Sequence, residues 1–244
     1  MTAKNVSSDR KRSRPVTKRS AFRKNKLLMP FLILSIVLVL IVSVIVVFNP
    51  LNQEDTNNTQ TSSYETDPDY IAALAETDYP VAVLETSKGA LAIELYNDIA
   101  PNTCQNFIDL ANQNFYNGMI FHRIMDDFMI QAGRTFPDGS NKESPYGNIA
   151  VFEGDGIHVD GAISMASTGA GLPGSAEFFI MDGARVGPEK YMDRNYAAFG
   201  KTIYGIEVVR DIADDPHDSS FEPQPGGGKP LSDIIINSII IENQ

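Results

Sequence analysis

The stretch FHRIMDDFMIQAGR, Phe121 to Arg134, sets two strong hydrogen-bonding side chains into an apolar run, Arg123 near its start and Gln131 near its end. A guanidinium stays charged, so burying it without a partner is costly. Taken alone, Arg123 reads as a strand arginine paired with an aspartate or glutamate. Whether it does more depends on its context in the chain. Other chemistries find less support. GAGLPG, Gly169 to Gly174, has the glycine spacing of a dinucleotide loop, with Asp193 downstream. Such a loop must follow a strand and open a helix, whereas SAEFFI after it favours a strand and Pro173 interrupts it. His122, His158 and His217 show no metal-ligand spacing and no paired cysteines accompany them, so neither a metal nor a cofactor is expected. His122 reads as a histidine packed or hydrogen-bonded beside its strand. No G-x-S-x-G elbow supports hydrolysis.

The surrounding pattern is strand-rich. VAVLET and ALAIELY read as strands joined by a turn at Ser87 to Gly89. APNTCQNFIDLANQNF reads as a helix, with Pro101 in its first turn and Phe107, Leu110 and Ala111 on one face. Cys104 is the only cysteine, and its place inside this helix favours a small buried hydrophobe over a reactive thiol. Asp126 and Asp127 mark a turn within the opening stretch. GAISMAS, AEFFIMD, AAFGKTI and SDIIINSIIIEN read as further strands, GIEVVRDIADD as a short helix and PQPGGGKP as a loop. There is no regular βαβ alternation, so a closed antiparallel sheet is the expected architecture.

FHRI…FMIQAG, then GAISMA, EFFI and YAAFGKTIYG in that order, closely resemble the cyclophilin family of peptidyl-prolyl isomerases. The resemblance runs from about Val81 to Ile241. It implies a mostly β fold, a closed eight-stranded antiparallel barrel with two capping helices, and catalysis of rotation about the bond preceding proline without a cofactor. It implies Arg123 as the catalytic residue, and a proline pocket of Phe128, Met129, Phe179 and Met192, the last where a leucine is usual. It further implies Gln131 as a binder of substrate backbone and Ala166 with Ser167 as the substrate ledge, Ser167 replacing asparagine. Glu177 stands where the family usually has glutamine, and Tyr196 where it has histidine; both count among the expected substrate-binding positions. Glu177 could pair with Arg123 and compete with substrate, so a non-catalytic module that holds proline segments, or a chaperone, is the alternative. The chain has no tryptophan. Tyr191 stands in the region of the family's tryptophan, which helps bind cyclosporin, so weak inhibition is expected. One glycine of the family's Q-G-G run is Ala132, and the GAGLPGSA loop is one residue longer than common.

Charge is divided along the chain. Residues 1–26 are strongly basic with a single acid, Asp9, while the whole chain carries −11. Leu27 to Phe48 follows without any charged residue. A bilayer core needs about 20 apolar residues in a helix, longer than the apolar core of a signal peptide. The expected organisation is a basic cytoplasmic tail (1–26), a single-pass anchor in the lipid bilayer (27–48), a polar linker (49–78) and the isomerase domain (79–244), placed outside the cell membrane by the positive-inside rule. The basic tail then serves topology, and no nucleic-acid partner is expected. The expected partners are proline-containing segments of exported proteins, whose folding the domain would assist.

Overall fold

A computed structural model describes residues 62–149, 153, 157–169, 171–183, 191–221 and 226–243. The chain divides into two compact units, Met1–Gln60 and Thr61–Gln244, and every described residue lies in the second. The apolar run from Leu27 to Phe48 falls outside the described residues. Among those described, no helix is long and apolar enough to cross a membrane.

The strands are β1 (Val81–Thr86), β2 (Gly89–Leu95), β3 (Arg123–Met125), β4 (Met129–Ala132), β5 (Ala162–Met165), β6 (Phe178–Met181), β7 (Ala197–Tyr204), β8 (His217–Asp218), β9 (Gly227–Pro230) and β10 (Ile236–Glu242). They form one ten-stranded sheet in the order β10-β1-β2-β7-β5-β6-β4-β3-β9-β8, and the registered pairs are antiparallel. Where a closed eight-stranded antiparallel barrel is expected, the described residues form a curled antiparallel sheet of ten strands. At its seam the residues leading into β3 meet those leading into β10. Ile120 and Ile235 form an isolated bridge, flanked by hydrogen bonds from Phe121 to Ile234 (3.0 Å) and from Ile236 to Met119 (2.8 Å). Gly118, at φ 81°, precedes this seam, and among the described residues no continuous ladder joins β3 to β10. PQPGGGKP, read as a loop, contributes β9. Its glycines carry no β-propensity, but a Cβ at Gly228 would run into the Asp218 carbonyl. Close approach of neighbouring backbone, not propensity, makes this a strand.

The helices are α1 (Pro68–Ala75), α2 (Pro101–Asn112), the short α3 (Tyr191–Asn195) and α4 (Ile206–Ala213). α2 buries Cys104, Phe107, Leu110 and Ala111, and α4 buries Val208, Val209 and Ile212, all in the main core inside the sheet. Phe107 packs against Tyr116, Phe178 and Phe199 at ring separations of 5.2–5.5 Å. Burial pushes the Cys104 thiol up to about 12, consistent with an inert packing role.

The segment from Ser62 to Ala75, which lies within the span expected as a polar linker (49–78), is folded against the sheet. A 3₁₀ turn (Ser63–Thr66) and α1 lay Tyr64 and Tyr70 on the outer face of β1, β2 and β7, over Val81, Val83 and Ala92. Tyr70 meets Tyr64 and Tyr204 edge-on at 5.1 and 5.4 Å. The Tyr204 hydroxyl donates to Asp67 at 2.9 Å, and that of Ser62 to Glu85 at 2.6 Å.

Candidate active site

The site is built on the outward face of β3, β4, β6 and β5. Arg123 pairs with Gln131, Gln131 with Phe179, and Phe179 with Ser164. Residues directly opposite in an antiparallel ladder project to the same face, so one row across four strands carries guanidinium, amide, phenyl ring and hydroxyl. The adjacent row, Ile124, Ile130, Ile180 and Ile163, points the other way into the main core. Beyond the polar row lie Met125, Met129 and Met181, which with Phe179 and Ala162 form a second small core. Phe128, Ala166, Met192 and Tyr196 pack onto it, partly buried. The turn at Asp126–Phe128 places Phe128 at the rim, with Asp127 at φ 56° and its N–H held by the Asp182 carboxylate at 3.0 Å.

A cleft of about 450 Å³ opens on this face. Its walls contain Arg123, Phe128, Met129, Gln131, Ala166, Ser167, Phe179, Met192 and Tyr196 of the sequence-derived site residues, and also Tyr191. Glu177 lines an adjoining cleft of about 320 Å³ that shares Gln131, Ala166 and Ser167 with the first. Ser167 does not offer its hydroxyl freely, since it donates to the Gly169 carbonyl at 2.7 Å. Phe179 is fixed from two sides. The Tyr196 ring meets it edge-on at 5.6 Å, and the His158 ring stacks on it at 5.9 Å. Tyr196 holds its proton firmly, because burial and Tyr191 raise its pKa while the Arg123 charge opposes them.

The polar end of the row forms a chain of contacts. Arg123 Nη1 donates to Gln131 Oε1 at 3.4 Å and lies 3.9 Å from Met129 Sδ. Gln131 Nε2 donates to Glu177 Oε1 at 2.5 Å, and the same oxygen lies 3.0 Å from His122 Nε2. Burial works against ionising Glu177, but the hydrogen bond and charge of His122, the Gln131 amide and the nearby Arg134 outweigh it and hold its carboxyl below the usual range. His122 is thus hydrogen-bonded beside its strand, as its sequence context suggests. Its contact with Glu177 was not legible, because nothing in the local pattern says which distant residue a side chain reaches. Ala132, in place of a family glycine, packs in the main core, while Gly133 beside it is the position that needs glycine: its φ is 101° and a Cβ would lie 2.6 Å from the Ala176 carbonyl. Among the described residues no group of three His, Cys, Asp or Glu side chains is arranged to hold a metal.

An antiparallel curled sheet thus places an arginine, an amide and an apolar pocket in one cleft. The chain matches the model for "Cyclophilin type peptidyl-prolyl cis-trans isomerase/CLD" over residues 81–240, and it belongs to this family: it is a cyclophilin-type peptidyl-prolyl cis-trans isomerase. A putative peptidyl-prolyl cis-trans isomerase of Staphylococcus saprophyticus is 34% identical over 185 residues, which span 65% of this chain and 90% of the relative. One from Schizosaccharomyces pombe is 38% identical over 146 residues, covering 57% of this chain and 89% of that protein. A crystal structure of a Cryptosporidium parvum cyclophilin superposes with a TM-score of 0.56 at 30% identity, covering 68% of this chain and 99% of that one. The same cyclophilin was also solved in the presence of the dipeptide Ala-Pro; that structure gives a TM-score of 0.54 at 31% identity over 67% of this chain and 99% of that one.

Proposed function

We propose that Arg123 drives the isomerisation and that the cleft beside it seats the proline. The observation that carries this is the placement of the Arg123 headgroup, 3.4 Å from Gln131 Oε1, on the rim of an apolar pocket walled by Phe128, Met129, Phe179 and Met192. The barrier to rotation, about 18–20 kcal/mol, comes from resonance that keeps the C–N bond planar. Twisting removes that resonance and leaves a lone pair on the prolyl nitrogen. A guanidinium beside the nitrogen, or beside the prolyl carbonyl, donates to the twisted amide better than to the planar one. The interaction therefore strengthens in the transition state, as catalysis requires. The pocket holds the ring while the flanking chain turns, with Ala166, Ser167, Gln131 and Tyr196 lining its path. Glu177 reaches His122 and Gln131, which favours turnover over the alternative of a binding module silenced by that carboxylate. The test is NMR exchange on a proline peptide with the full chain. Arg123→Ala should slow catalysed exchange by about 100-fold or more, the order lost with one preorganised donor, with the fold intact. An unchanged rate would overturn the assignment.

The place of action is a separate part of the reading. The uncharged run from Leu27 to Phe48, with a basic segment before it, supports a bilayer anchor with the isomerase outside the membrane, acting on proline-containing segments of exported proteins. Protease added to intact cells should then degrade the domain and leave a small basic membrane-bound fragment; full protection of the domain would refute that topology.

A further inference from the structure

We propose that Glu177 is a positioning residue: its carboxylate, engaged by His122, fixes the amide of Gln131 and through it the headgroup of Arg123. The proposal rests on the isomerase reading for its consequence in rate, but its geometry stands separately. A carboxylate only accepts hydrogen bonds. The end of Gln131 that faces Glu177 Oε1 at 2.5 Å is therefore the NH₂ group, which leaves Oε1 to accept from Arg123 at 3.4 Å. An amide side chain is otherwise free to sit either way round. A glutamine at 177 would present either end and permit both orientations. With Gln131 reversed, its NH₂ would confront the guanidinium, donor against donor, and Arg123 would lose that acceptor.

His122 holds the other side of the same oxygen, at 3.0 Å. Its Nδ1 is buried without a hydrogen-bond partner, so Nε2 is the ring nitrogen that engages the carboxylate. Three elements thus converge on one carboxylate oxygen: the lead into β3 through His122, β4 through Gln131, and the residue before β6 through Glu177 itself. Arg134 faces the carboxylate from beyond β4 and is paired with Glu143 at 3.2 Å, and Lys142 lines the same cleft.

A proton on Glu177 has the same effect as glutamine. The carboxylic group can then donate as well as accept, so either end of Gln131 can face it and the NH₂ group can be presented to Arg123. Because the folded carboxyl sits below its usual range, the arrangement is intact above the ordinary glutamate range and is lost as pH falls through the depressed value.

The experiment uses the full chain and two readouts. Catalysed exchange on a proline peptide is followed from neutral to acid pH for the natural chain and for Glu177→Gln. The side-chain amide signals of Gln131 are followed over the same range by NMR. The natural chain should lose about tenfold in kcat/KM on acidification, the worth of one charge-assisted hydrogen bond, and the Gln131 signals should shift in the same window. Glu177→Gln should start lower at neutral pH and lack the acid limb. A profile and Gln131 signals that are the same in both proteins would overturn the positioning role while leaving the isomerase intact. Gln131 signals that titrate with Glu177 in a chain that accelerates no exchange would uphold the positioning and refute the catalytic reading. A gain of rate in Glu177→Gln would show that the acid silences the site, and would also overturn the proposal.

Discussion

His158 shows how far single side chains go to hold this cleft. Its Nδ1 lies 2.9 Å from Asp193 Oδ1, its Nε2 lies 3.0 Å from Ser164 Oγ, and its ring backs Phe179. Burial pushes its pKa down, and the hydrogen bond and charge of Asp193 oppose this without overcoming it. The unfolded chain therefore binds the proton first as pH falls below about 6.5, and stability present above that value is progressively lost. Ring titration by NMR should place His158 below the ordinary histidine value, with unfolding becoming easier from neutral pH toward pH 5. A ring that titrates above the ordinary value would contradict this. Such a contact is not legible in a sequence, where His158 and Asp193 are 35 residues apart and belong to unrelated patterns. Arg123 and Gln131 are legible, because charged and amide groups stand out in apolar strands, whereas Phe179 is reached only through the resemblance to the cyclophilins. Tyr191 carried a weaker signal, its place in a region where relatives have tryptophan.

The elements were readable where local chemistry decides and obscure where tertiary contact does. Pro101 and the i, i+3, i+4 apolar face define α2, and the Asp126–Asp127 pair defines its turn. VAVL in β1 shows no alternation because both faces are covered, Ala82 and Leu84 by the main core, Val81 and Val83 by the tyrosines of the preceding segment. The seam and β9 were hidden, since a bridge and a strand that opens on two glycines have no periodic signature. The start of α2 also depends on a distant residue. Glu153 accepts from the Asn102 and Thr103 N–H groups at 3.2 and 2.9 Å and from the Asn102 side chain at 2.8 Å. A carboxylate there satisfies orphan donors and complements the helix dipole. Glu153→Ala should cost about 1 kcal/mol in unfolding free energy, the usual loss of such a cap, with exchange catalysis at saturating substrate unchanged. No change in denaturant midpoint would show that solvent satisfies the helix end equally well.

The described part of the molecule keeps its two working surfaces on different strands. The cleft belongs to β3, β4, β5 and β6, whereas the segment bearing Tyr64 and Tyr70 lies on β1, β2 and β7. A chain that begins at Tyr79 would uncover the outer face of β1 and should lose about 3 kcal/mol or more relative to one that begins at Ser62, because the apolar area buried between Tyr64, Tyr70 and that face no longer forms. Equal melting temperatures for the two chains would show that the tyrosines add nothing. The same arrangement has a mechanical meaning. Tension drawn from upstream of Ser62 is met first by a clasp of aromatic rings and short polar ties, which would peel away turn by turn and pay out slack before any strain arrived at the arginine.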